Sequence, residues 1–188
     1  MTFSLEIIAL LTGIGYAVGA VLRNRWAWAS GAVSSALLAI LAFGASLPLQ
    51  AILQSVYVLM AFYGFWHWSR STSSSPIRVS RWSWLAHGLI WIATLTVVLL
   101  GSPFFEASLG SAWPRLDAAV TCLSLCATFM TARGVLENWA YWWCVNLGSI
   151  WLYSSQALWG VTALYLVYFL IAIVGWRQWW RAYQAQES

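Results

Sequence analysis

Apolar residues run along this chain in long blocks, and short polar or arginine-bearing stretches separate them. Each block is about 20 residues long, the length an α-helix needs to cross roughly 30 Å of hydrocarbon. The pattern predicts helices over 3–22, 26–44, 48–68, 82–100, 115–133, 138–156 and 158–176. Two connections are longer than the rest. Ser69–Arg81 (SRSTSSSPIRVSR) reads as the clearest polar linker and Gly101–Pro114 as a second loop. The prolines agree with these cuts, because Pro48, Pro76, Pro103 and Pro114 fall at block edges or in loops.

Composition turns long helices into membrane spans. The chain has 188 residues, 62% hydrophobic and only 7% charged, too few charges to cover a soluble domain. In a bilayer, helices satisfy their own backbone polar groups. The first block reads as a true span and not as a cleaved leader, because no positive segment precedes it and Glu6 lies near its start.

Charge sets the orientation. All nine basic residues are arginines, and there is no lysine. With seven spans, Arg23, Arg25, Arg70, Arg78, Arg81, Arg133, Arg177 and Arg181 fall on one face, against Arg115 alone on the other. The positive-inside rule puts the eight in the cytoplasm, the N-terminus outside and the C-terminus inside. A wrong span count would scramble that division.

The chain also repeats itself. At an offset of 111 residues, Leu5-Glu6 meets Leu116-Asp117 and Trp28 meets Trp139. Tyr57, Gly64 and Trp68 meet Tyr168, Gly175 and Trp179. The expected organisation is all-α: a first three-helix repeat over 1–68, a linker loop and helix 4 over 69–111, and a second repeat with a short tail over 112–188. The single linker helix makes the repeats parallel. That arrangement is a known carrier design with the substrate held near the midplane between the repeats.

Candidate chemistry concentrates in the sixth block. Asn138, Trp142, Asn146, Ser149, Tyr153 and Gln156 follow steps of three and four and form one helical stripe. Such a stripe is poor lipid-facing surface and should face the bundle interior or a cavity. Asn146 falls near mid-depth, where its amide either binds a ligand or bonds another helix. Trp142 and Trp143 lie deeper than a headgroup belt requires. Gln54 and Tyr57 in the third block, with Gln50 nearby, and Tyr168 in the seventh, with Thr162 and Tyr165, approach the same depth. The second-block Ser30, Ser34 and Ser35 read as close-packing residues.

Other residues carry blander expectations. Trp26, Trp28, Trp66, Trp68, Trp82, Trp84, Trp176, Trp179 and Trp180 lie at block ends, as an aromatic belt would place them. His67 and His87 read as interfacial. Cys122, Cys126 and Cys144 form no metal or redox motif. Glu6 and Asp117 hold equivalent repeat positions near the outer face, where they can attract a cation or bond another span.

The absences narrow the function. No Asp, Glu, Arg or Lys falls at mid-depth, which disfavours phosphorylated substrates and proton coupling through a buried carboxylate. Without lysine there is no retinal Schiff base. No nucleophile–base pair or metal motif stands out, so an enzyme is not expected, and neither a cofactor nor a nucleic-acid partner is implied. A carrier for a neutral or cationic organic solute fits best. The rival is a membrane scaffold or sensor whose polar stripe only joins helices. A homo-oligomer is compatible with either.

The motifs resemble those of PnuC-type vitamin transporters. Glu137-Asn138-Trp139-x-x-Trp142 followed by Asn146 is similar to the family's E-N-W-x-x-W-x-x-x-N signature. Tyr63-Gly64-Phe65-Trp66-His67-Trp68 looks like its Y-G-[WF]-x-x-W, and Leu49-Gln50 to Gln54 and Asp117 also fit. The chain departs from a fuller W-x-x-W-x-x-W at Val145. The resemblance implies a three-plus-one-plus-three fold like that of the SWEET sugar carriers. It also implies facilitated diffusion of nicotinamide riboside across a bacterial inner membrane, with a cytoplasmic vitamin kinase trapping the product. Carried over by position, Trp142, Trp143 and Asn146 would bind base and ribose, with Gln54 and Tyr168 as weaker candidates. The family also includes thiamine and riboflavin carriers.

Overall fold

The computed structural model describes residues 2–45, 47–70, 77–108 and 113–187. It contains seven helices: α1 (Thr2–Val21), α2 (Trp26–Gly44), α3 (Pro48–Ser69), α4 (Trp84–Ser108), α5 (Pro114–Ala132), α6 (Asn138–Ser154) and α7 (Trp159–Glu187). Five of them, α1, α2, α4, α5 and α7, are long and apolar enough to cross a membrane by length and composition. The other two, α3 and α6, carry much of the polar stripe chemistry that lowers their hydropathy. Pro48 and Pro114 open α3 and α5 at the first helical turn, where a missing N–H costs nothing.

Two boundaries differ from the sequence pattern by more than two residues. Helix α4 continues through Pro103 to Ser108, where a loop was expected. Carrying the helix onward keeps most of its backbone groups paired internally, which lipid surroundings favour over an open loop. Helix α7 runs eleven residues past its expected end, to Glu187. Its Trp179 is fully buried, so the extra turns are anchored by packing. Pro76 and part of the expected linker lie outside the described residues.

Consecutive helices pack as α1–α2–α3 and as α5–α6–α7. The two groups meet through α1 against α7 and α3 against α5, an exchange that mirrors the repeat. Helix α4 packs mainly on α5, reaches Tyr141 of α6 through His87 and Trp91, and otherwise presents exposed apolar side chains such as Leu85, Leu89, Ile92 and Leu95.

The repeat is visible atom by atom. Gly64 lets the Trp28 ring approach so closely that a Cβ there would lie 2.3 Å from it. Gly175 does the same for Trp139, at 2.6 Å. Trp28 meets Trp68 edge-on at 5.4 Å and 88°, and Trp139 meets Trp179 at 5.5 Å and 88°. The ends of α1 and α5 close alike. Asn24 N–H bonds Gly19 O across five residues around Arg23 at φ 53°, and Val135 N–H bonds Met130 O around Gly134 at φ 71°. These are left-handed helix caps at positions 111 apart.

The tryptophans also join the halves. Trp68 Nε1 donates to Ala132 O at 3.0 Å, and Trp179 Nε1 donates to Ala20 O and Val21 O at 3.2 Å. Each indole thus satisfies carbonyls at the C-terminus of the opposite half's first helix, which lack intrahelical partners. The rings of Trp68 and Trp179 meet at 6.3 Å between the halves. Trp28, Trp68 and Trp179 are therefore core, not belt as the sequence pattern suggested. Their ring surfaces are spent on packing between helices, and the N–H groups of Trp68 and Trp179 on backbone carbonyls.

The segment after the undescribed stretch is a docked strap. Ile77 and Val79 are buried, and Ser80 pairs with Val135 in a single parallel bridge. Ser80 N–H bonds Gly134 O and Leu136 N–H bonds Ser80 O, each at 2.9 Å. Arg81 Nε bonds Glu137 Oε1 at 2.7 Å, and the Trp82 N–H reaches the other oxygen of that carboxylate. Arg23 donates to Ile77 O, and burial lowers its pKa from the usual arginine value. Polar composition hid this role, because only alternate residues of the strap are apolar.

Candidate functional site

A cavity of ≈ 280 Å³ lies between the two three-helix groups. Its floor, toward the arginine-rich end, is built by Trp28, Trp139, Ala61 and Ala172, with Trp142 and Thr131 beside them. Ala61 and Ala172 are again 111 residues apart. Toward the other end the walls carry Gln50, Asp117 and Tyr153, and Gln50 is exposed. The cavity therefore runs from a polar mouth to a floor backed by the buried tryptophans Trp68 and Trp179.

Helix α6 supplies one wall. Trp142, Asn146, Ser149 and Tyr153 all line the cavity, four members of the six-residue stripe. Asn146 is 2% exposed and makes no hydrogen bond to the protein through its side chain among the described residues. An amide placed this way is costly without a ligand or water, which argues against helix glue. Gln156 instead lies past the end of α6, where its amide donates to Leu152 O at 2.9 Å.

Asn138 and Trp143 do not line the cavity. Asn138 is fully buried at the start of α6, where its Nδ2 donates to Val135 O at 2.6 Å and its Oδ1 accepts from Thr131 Oγ1 at 3.0 Å. That threonine oxygen also accepts from Trp142 Nε1 at 3.4 Å. Asn138 thus holds the support on which a cavity-lining indole rests. Trp143 packs against Trp176, with ring centroids 5.2 Å apart.

The remaining sequence candidates converge. Gln54, Tyr57 and Tyr168 line the same cavity. Gln54 is 9% exposed and, like Asn146, has no side-chain hydrogen bond among the described residues. The Tyr57 hydroxyl pairs with Ser124 Oγ across the two halves. The Tyr168 hydroxyl sits over Gly13, where a Cβ would come within 2.8 Å of it. Ser30 and Ser34 spend their hydroxyls on Thr12 O and Ala9 O of α1, both at 2.7 Å. His87, near the start of α4, is buried against Tyr141 and bonds its hydroxyl at 3.0 Å.

One wall escaped the sequence reading. Asp117, Thr121, Ser124, Thr128 and Thr131 of α5 all line the cavity. Their spacing of four, three, four and three is a helical stripe as regular as that of α6. Serine and threonine are ordinary in membrane helices, which is why it did not stand out. In α1 the corresponding face is mostly small, with Gly13, Ala17 and Ala20 in the wall, and Tyr16 adds a buried hydroxyl without a hydrogen-bond partner among the described residues. Among the described lining residues Asp117 alone is charged, and none is basic. No group of metal-ligating side chains occurs among the described residues.

Comparison with known proteins agrees with this architecture. The nicotinamide riboside transporter PnuC of Escherichia coli (strain K12) is 27% identical, over 79% of this chain and 73% of its own. The riboflavin/roseoflavin transporter RibM of Streptomyces davaonensis is 26% identical, over 84% of this chain and 76% of its own. The crystal structure of the vitamin B3 transporter PnuC superposes with a TM-score of 0.78 at 21% identity, covering 96% of this chain and 82% of that one. At that identity the superposition speaks for the fold. The family profile described as nicotinamide mononucleotide transporter matches residues 4–181. The chain belongs to that family, as a multi-pass membrane protein and vitamin transporter of the PnuC type and not an enzyme.

Proposed function

We propose that the protein carries nicotinamide riboside across a bacterial inner membrane by facilitated diffusion, exposing one cavity alternately to each side. The observation that carries this reading is the cavity itself. It lies at the junction of two repeats, is walled by aromatic rings and, apart from Asp117, by neutral hydrogen-bonding groups, and contains two buried amides without protein partners among the described residues. Trp142 and the tyrosines would hold a flat cationic base, each contact worth about 0.5–2 kcal/mol. Asn146 and Gln54 would take ribose hydroxyls. No basic side chain lines the cavity among the described residues, so a phosphate group would enter uncompensated. This favours the riboside over the mononucleotide named in the family description. Its size falls near the lower end of ligand pockets, about 300 Å³. The arginine-rich end would face the cytoplasm, where phosphorylation by a vitamin kinase would trap the solute.

A second reading is riboflavin, supported by the similar identity to RibM. Thiamine, flat and cationic, is the third. Side-by-side calorimetry of the purified full chain with the three vitamins tests the choice, followed by uptake into proteoliposomes. Saturable binding and uptake of nicotinamide riboside without an ion gradient is the expected result. Binding of riboflavin or thiamine alone would overturn the assignment, and binding of none would mean that the cavity takes a different solute.

A further inference from the structure

The mouth of the cavity combines an uncompensated carboxylate with stacked aromatic rings. Asp117 stands in the first turn of α5 and is partly buried. Its carboxylate has no hydrogen bond or ion pair among the described residues. It lies within electrostatic reach of the Tyr153 hydroxyl. The Tyr153 ring stacks on Tyr165 at 5.3 Å and 14°, and Tyr165 meets Tyr168 edge-on at 6.1 Å. All four side chains line the cavity. The repeat counterpart of Asp117, Glu6, is exposed and outside the cavity wall, so the negative charge is one-sided.

We propose that Asp117 and the Tyr153–Tyr165–Tyr168 wall form a cation-selecting subsite, which makes the transported solute an organic cation and Asp117 the residue that sets this preference. The inference rests on the reading of the cavity as the vitamin passage and adds the substrate's charge class. A carboxylate in a partly dehydrated site favours a positive guest. The tyrosine faces attract the same guest through their quadrupoles. With no basic lining residue among the described ones to neutralise it, the carboxylate acts on whatever enters.

The test compares oxidised nicotinamide riboside with its reduced dihydropyridine form. The two have nearly the same shape, but only the oxidised base is positively charged. Affinities are measured for the full-length protein in detergent, alongside Asp117→Asn and Asp117→Glu. The wild type should prefer the charged form by about tenfold or more, the scale of one well-placed charge contact. Asp117→Asn should bring that ratio close to unity, and Asp117→Glu should restore most of it. A ratio that Asp117→Asn leaves intact overturns the proposal, as does a wild type that binds both forms equally. Melting curves check that the variants fold, and the charge-retaining variant carries the test if the amide variant does not. If nicotinamide riboside fails to bind while thiamine binds with the same dependence on Asp117, the substrate assignment falls and the subsite stands. Tight binding of uncharged riboflavin, insensitive to Asp117→Asn, sinks the subsite even if transport is real.

Discussion

The buried amides of α6 separate ligand chemistry from helix glue. Asn138 and Asn146 share one stripe, and residue type does not tell them apart. Asn138 is bonded to Val135 O and Thr131, whereas the Asn146 side chain has no protein partner among the described residues. Asn138→Leu would leave those groups unpaired in a fully buried site, at a cost of about 1–3 kcal/mol. Asn146→Leu removes an amide that bonds no protein group among the described residues, so its thermal stability should match or exceed the wild type. Its affinity for the vitamin should fall by about tenfold, the equivalent of one lost polar contact. A large loss of stability in Asn146→Leu with unchanged affinity would assign it to packing. Trp142→Ala should weaken binding by about tenfold or more, since it removes a whole aromatic face. Unchanged affinity would place the base elsewhere in the cavity. The Trp142 and Asn146 positions were legible because spacing puts them on the polar stripe of an otherwise apolar helix. The exclusion of Trp143 was not, because a neighbouring indole differs only in azimuth, and azimuth is fixed by Trp176 on another helix.

Among the helices, the clearest physical statement is made by two glycines. Gly64 and Gly175 recurred at the repeat offset in the sequence, but their purpose shows only against Trp28 and Trp139. Alanine is favoured over glycine in a helix by about 1 kcal/mol. At Gly64 that gain is opposed by a Cβ 2.3 Å from an indole buried to 1% exposure, which has nowhere to move. Overpacking of this kind costs about 1–3 kcal/mol, so the clash should win. Gly64→Ala should therefore lower the melting temperature of the purified protein. Gly88→Ala in α4, where a Cβ meets nothing within 4 Å, should leave it equal or higher. A Gly64→Ala protein as stable as wild type would mean that the tryptophan can withdraw. Helix boundaries were less legible where tertiary contact decides them. Proline at 103 read as a stop, yet the helix continues through it, and the serine-rich linker ends in a strap whose buried residues are only Ile77 and Val79 among the five from Ile77 to Arg81. Glu137, which opens the family-like E-N-W signature, pins that strap through Arg81.

For the whole molecule, the repeat predicts where the halves meet, but not which end of the cavity is shut. Under the alternating access proposed above, one sequence must specify both closures, so the choice lies in a small energy difference between two packings. In this structure the arginine-rich end is shut by the crossed tryptophans. Trp68 reaches the end of α5 and Trp179 the end of α1, so opening that end requires both contacts to break. Each hydrogen bond contributes about 0.5–1.5 kcal/mol. Replacing both indoles by phenylalanine keeps most of the ring packing and should favour opening by about tenfold, the equivalent of 1.4 kcal/mol. The readout is access to the floor. In a background with Cys122, Cys126 and Cys144 replaced, Ala61→Cys places a thiol on a floor residue that is 4% exposed. A membrane-impermeant thiol reagent applied from the arginine-rich side should label it faster when Trp68→Phe and Trp179→Phe are both present. Labelling from the opposite side should slow, because the same population shift closes the mouth. Faster labelling from both sides would indicate general loosening and not a latch. Equal rates in the two backgrounds would show that the indole N–H groups do not hold the floor shut, leaving ring packing and the strap as its closure.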